Sequence, residues 1–121
     1  MVKFRATHHL EGDFGPAQRH HGHNYRAVVV CKGPRLRDDG TLCDIALLDR
    51  AVSRAIEALQ FQDMNSLPPF ESRNSTAEAV AQYLHGQVAS IFLQEGLSSI
   101  AVQVWESDRA YGAYEGPPLL T

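Results

Sequence analysis

HGHNYRAVVVCK, residues 21–32, is the stretch on which the fold turns. It is rich in Val and carries Tyr25, and β-branched and aromatic residues suit a pleated, half-buried surface, so it reads as a long strand. A period of two puts His21, His23, Tyr25, Ala27 and Val29 on one face. Upstream, VKFRATHH (residues 2–9) also alternates, with Phe4, Ala6 and His8 on one face and Lys3, Arg5 and Thr7 on the other. Between them EGDFGPAQR carries Gly-Asp and Gly-Pro turn signals and reads as a connecting loop. Two antiparallel neighbour strands are the simplest product.

Downstream the period changes. After the loop GPRLRDDGTLC, Asp44 is placed to cap a helix over residues 45–60, with the apolar stripe Ile45, Leu48, Val52, Ala55, Ile56 and Leu59. The Pro-rich segment NSLPPFESRN breaks it, and Ser75-x-x-Glu78 is a capping-box pattern opening a second helix of about twenty residues, closed by Gly96. Its stripe is Val80, Tyr83, Leu84, Val88, Ile91 and Phe92. SSIAVQVWES then alternates strictly, with Ile100, Val102, Val104 and Glu106 together, and a short last strand spans residues 110–115 before the tail GPPLLT. The order ββααββ predicts an α+β domain, an antiparallel sheet carrying two helices on one face.

At 121 residues the chain suits a single domain, 1–121, able to bury roughly two-thirds of its unfolded surface without disulfides or a structural metal. A net charge of −3 with scattered Lys and Arg argues against a nucleic-acid partner. Nothing resembles a signal peptide or membrane span, and Cys31 and Cys43 lack CxxC spacing, so a reduced, cytoplasmic protein is expected.

His21 and His23 project from one strand face, and His8 can fall opposite them if the first two strands pair. Neutral imidazoles are good zinc ligands, and three protein ligands leave a tetrahedral position open, as catalytic zinc requires. A surface strand with a glycine bulge is the competing account of HGH taken alone.

Phe4, Ala6, His8 and Leu10, followed by HGHNY, resemble the 6-pyruvoyl-tetrahydropterin synthase and 6-carboxytetrahydropterin synthase family. Further marks are Gly40 to Asp44 (GTLCD), Glu57 to Asn65 (EALQFQDMN), Asn74 to Glu78 (NSTAE) and Trp105 to Ser107 (WES). The resemblance implies the tunnelling fold (T-fold), zinc on His8, His21 and His23, and a homo-oligomer, trimer or hexamer, with sites between subunits. It makes Glu106 the residue that grips a pterin. One carboxylate can accept both the amino group and the adjacent ring N–H of the pterin edge. Ser75 and Thr76 stand at a helix start where hydroxyls and free N–H groups can meet ligand heteroatoms, although capping alone accounts for Ser75.

The family's proton-transfer groups are missing. Ala17 stands where the resemblance implies a cysteine, and Gln60 and Phe61 where it implies an Asp-His pair. Among nearby ionisable residues, Glu11 and Asp13 lie in the loop that replaces the cysteine segment and are the candidate catalytic substitutes; some relatives use a glutamate there to cleave the dihydroneopterin side chain. His9 and His20 are expected on the face opposite the zinc, and Asp108 shares the face of Glu106 or is simply a solvated strand end. The expected function is a zinc-dependent, pterin-handling lyase acting on dihydroneopterin or its triphosphate. A non-catalytic zinc protein that binds a pterin or purine is the alternative.

Overall fold

The structure is a computed structural model describing residues 1–119; Leu120 and Thr121, the end of the GPPLLT tail, lie outside the described residues. Strand β1 is Val2–His8 and β2 is His21–Lys32, joined through a 3-10 turn at Gly15–Gln18. Helix α1 is Ile45–Ile56, the two-residue strand β3 is Gln62–Asp63, and helix α2 is Ala77–Ile91. Strands β4 (Ser99–Trp105) and β5 (Tyr111–Gly116) complete one open sheet in the order β3-β1-β2-β4-β5. The α+β tunnelling-fold architecture expected from the sequence is present.

Alternation sorts the strands as expected. Phe4, Ala6, Tyr25, Ala27, Ile100, Val102 and Val104 are buried beneath Leu48, Ala51, Val52, Ala55 and Ile56 of α1 and Val80, Ala81, Leu84 and Val88 of α2. Burying each such Val, Leu, Ile or Phe side chain stabilises the fold by roughly 1.5–3 kcal/mol relative to exposure. Asp44 caps α1, its Oδ1 accepting from the Leu47 N–H at 3.1 Å. At Gly112 a Cβ would lie 2.6 Å from the Glu78 backbone nitrogen, so β5 meets the start of α2 at a distance only glycine permits.

Three local features differ from the sequence expectation. Helix α1 ends at Ile56 rather than near residue 60, because the chain turns to lay Gln62–Asp63 against β1. That short pairing is parallel, so the sheet is mixed rather than purely antiparallel. Phe61 makes the turn at a left-handed φ of +58°, its N–H bonded to the Arg5 carbonyl at 2.6 Å. Second, α2 has 15 residues rather than about twenty, ending where Phe92 turns into the core. Third, the cap of α2 is Thr76, not Ser75: Thr76 Oγ1 accepts from the Ala79 N–H at 3.1 Å. Ser75 is drawn inward by tertiary partners.

Candidate metal centre

The antiparallel register of β1 and β2 pairs His8 with His21 and Ala6 with His23. Residues of one face in adjacent strands are neighbours, so the three imidazoles converge. Ring centroids are 4.5 Å apart for His8–His21, 5.2 Å for His8–His23 and 4.7 Å for His21–His23. One nitrogen from each lies within 4.8 Å of the others, a spacing that can hold a metal ion.

Hydrogen bonds from behind set the tautomers. His8 Nδ1 lies 2.8 Å from the Ser75 carbonyl oxygen, and His21 Nδ1 lies 2.6 Å from that of Arg19. A carbonyl only accepts, so in each ring Nδ1 carries the proton and Nε2 presents its lone pair. His8 is 1 % exposed, and its Nε2 and that of His23 are buried without a hydrogen-bond partner. Orphaned buried acceptors are costly unless something fills them, and a cation between the rings satisfies both. Burial pushes His8 down to about 4, with the Ser75 carbonyl opposing and the neighbouring imidazoles adding to the shift. Burial likewise lowers His23, against the opposing charge of Glu106. Both favour the neutral form that ligates metal.

Glu106 follows β4, its N–H bonded to the Ala110 carbonyl across the turn into β5. Its Oε2 stands 3.9 Å from His23 Nε2, so a carboxylate borders the histidine cluster. Ser75 is fully buried: its hydroxyl lies 3.2 Å from His8 Nδ1 and donates to Asn65 Oδ1 at 3.3 Å. Thus the hydroxyls of Ser75 and Thr76 are both engaged by the protein, one behind His8 and one at the helix cap.

Two asparagines that the sequence reading passed over hold this corner together. Asn65 accepts from the His9 N–H at 2.8 Å and donates to the His9 carbonyl at 3.1 Å. Asn74 makes the same two-way pair with the backbone of Glu11, at 2.8 and 2.9 Å. Each amide extends the strand pairing past the end of β1. Their only signal was position, inside MN and NSTAE.

Glu11 sits beside His9, its Oε1 3.8 Å from His9 Nε2, with the side chain 84 % exposed. Among the described residues, the carboxylate that pairs with a triad histidine is that of Glu106. Asp13 is exposed in the loop. His20 Nε2 lies 3.7 Å from Asp63 Oδ1, and the rings of His9 and His20 stand 6.1 Å apart. Asp108 is turned to Arg26, 3.3 Å away. Gln60 Oε1 accepts from the Arg5 N–H at 2.8 Å, and the Phe61 ring is 77 % exposed. The cysteines are free thiols; burial and the adjacent Cys43 push Cys31 up to about 12. No described helix is long and apolar enough to cross a membrane.

The fold is similar to solved structures of named enzymes. 6-Pyruvoyl tetrahydropterin synthase from Caenorhabditis elegans superposes with a TM-score of 0.81 at 23 % identity, covering 95 % of this chain and 91 % of that one. The Plasmodium falciparum enzyme gives 0.79 at 19 % identity with coverage of 95 % and 91 %. A Plasmodium vivax 6-pyruvoyltetrahydropterin synthase with a catalytic glutamate replaced by alanine gives 0.78 at 16 % identity, with coverage of 95 % and 91 %. No curated protein sequence matches significantly. The sequence profile of 6-pyruvoyl tetrahydropterin synthase, however, matches residues 1–117, nearly the whole chain, and the structures carry the same fold: the chain belongs to the 6-pyruvoyl tetrahydropterin synthase family.

Proposed function

We propose that this protein is a zinc-dependent, pterin-handling lyase that acts on dihydroneopterin or its triphosphate with a proton-transfer set of its own. The observation that carries this reading is the convergence of three metal-ready imidazoles, with the Glu106 carboxylate 3.9 Å from His23. His8, His21 and His23 would hold zinc, which when bound supplies a Lewis acid for a hydroxylated substrate side chain. Glu106 accepts the paired N–H donors of the pterin edge and orients the ring. Ser75 serves from behind by fixing His8, and Thr76 by holding the start of α2.

A carboxylate is called catalytic in the Plasmodium vivax relative, and Glu11 is the acid we assign to that task here, with Asp13 as its neighbour in the same loop. Incubation of the zinc-loaded protein with dihydroneopterin, followed by chromatography of the pterins, tests the chemistry. Loss of the side chain supports the lyase. Intact substrate bound to the protein supports the second reading, a non-catalytic zinc and pterin or purine binder. That reading is favoured by Gln60, whose side-chain oxygen is already engaged by Arg5.

Glu106→Ala is expected to weaken neopterin binding by about 1–3 kcal/mol, roughly 5- to 150-fold, because two ligand donors lose their charged acceptor. Fluorescence titration of both proteins measures it. Equal affinities would reduce Glu106 to a surface charge.

The proposal includes a homo-oligomer. Strand β5 ends the sheet at one side and β3 covers only two residues of β1 at the other, so both edges offer unpaired backbone groups. Light scattering at micromolar concentration is expected to give a trimer or hexamer; a monomer would remove this part of the proposal.

A further inference from the structure

Tyr25 carries a polar group for which the core has no use. Its ring is 0 % exposed and stacks on Phe4 with centroids 4.8 Å apart. It also meets the rings of His23 and His8 edge-on, at 5.2 and 6.1 Å. Its hydroxyl is buried without a hydrogen-bond partner. A phenylalanine would make the same ring contacts without an unpaired hydroxyl, so that hydroxyl lowers stability where it stands.

Its surroundings show what it can serve. Strand β2 pairs with β4 through Arg26↔Trp105, the last pair of that ladder, and the next step of the same antiparallel register brings Tyr25 toward Glu106. Both side chains lie on the face of the histidines. A phenol is protonated at neutral pH, and thus a donor. His23 Nε2 is 3.9 Å from Glu106, too far for a hydrogen bond, and once it ligates a metal it has no proton to give. Among the described residues, Tyr25 supplies the one buried hydroxyl left without a partner.

We propose that Tyr25 is a positioning residue for Glu106: when a pterin binds, its hydroxyl donates to one carboxylate oxygen and so aims the remaining lone pairs at the pterin's adjacent N–H groups. The Glu106 side chain is partly exposed, and the proposed bond requires it to turn toward the phenol. A carboxylate has about four acceptor sites, enough for one phenol and two ligand donors. The inference rests on the reading of Glu106 as the pterin anchor.

The test is a double-mutant cycle on the zinc-loaded protein, with neopterin as the probe and its fluorescence as the signal. Tyr25→Phe is expected to weaken binding about tenfold, the loss of one hydrogen bond to a charged acceptor. Zinc content should be unchanged, and the melting temperature unchanged or raised, since the variant removes an unpaired hydroxyl. In the Glu106→Ala background the same change should cost nothing further, because the group it aims is gone. An equal loss in both backgrounds overturns the proposal, as does a loss accompanied by a lower melting temperature or lower zinc content. Parent binding with an unweakened Tyr25→Phe overturns it while leaving the anchor reading intact. A zinc-loaded parent that does not bind neopterin removes the anchor reading, and this inference with it.

Discussion

His21→Ala is expected to strip the protein of zinc. Purified without chelator, the parent should carry close to one equivalent per chain by elemental analysis, and the variant close to none. His21 is the right ligand to remove because it is only half-buried at the start of β2, so its loss leaves the hydrophobic core untouched. His8 is 1 % exposed, and its truncation would open a hole as well as remove a ligand. The magnitude follows from the shell behind the ligands. Altering a group that merely orients a metal-bound histidine typically costs about 10- to 100-fold in affinity, so removing the ligand itself should cost more. Zinc that binds only the native state also raises stability, by about 2.7 kcal/mol at a concentration 100 times its Kd. The parent should therefore melt higher with zinc than without, and the variant should not. A variant that keeps its full metal content would dismiss the three-histidine assignment.

Much of this site was legible because strand geometry is strict. A period of two committed His21 and His23 to one face, and with two antiparallel strands His8 could fall opposite them, as the register shows it does. The same alternation carried Glu106 to the face of Val102 and Val104. What stayed hidden depends on partners far along the chain. Ser75-x-x-Glu78 is a sound local capping pattern, yet Thr76 takes the cap because Ser75 is needed behind His8, 67 residues away. Asn65 and Asn74 look like ordinary loop residues until their amides meet the backbone of His9 and Glu11 across 56 and 63 residues. Strand β3 was invisible for another reason. Two residues show no periodicity, and the turn before them is made by Phe61 at φ +58°, where a glycine or asparagine signal is the norm. Such a conformation in a bulky residue costs of order 1–3 kcal/mol and is held here by the Arg5 carbonyl.

Conversion of dihydroneopterin triphosphate to the family's usual tetrahydropterin products is expected to be negligible, with binding intact. The absences at Ala17, Gln60 and Phe61 set the size of the effect. Each well-placed acid or base contributes about 10²- to 10⁴-fold to rate, and the cysteine and the Asp-His pair are both replaced by groups that do not titrate. The groups at two of these positions are engaged by the backbone. The Ala17 carbonyl is engaged by the Leu10 N–H, and Gln60 Oε1 accepts from the Arg5 N–H. Among the described residues, the carboxylate beside a ligand is that of Glu106, which is assigned to the pterin and cannot serve as the mobile base without releasing it. We therefore expect proton transfer from the loop after β1, where Glu11 stands 3.8 Å from His9, with Asp13 two residues on. Turnover should appear as cleavage of the dihydroneopterin side chain, and Glu11→Gln or Asp13→Asn should abolish it while leaving zinc content unchanged. The assay is the zinc-loaded protein with each substrate in turn, pterins separated by chromatography. Brisk formation of the usual product would mean that other residues have replaced the missing set. In that case the pairs His9–Glu11 and His20–Asp63, the latter 3.7 Å apart, are the first to remove.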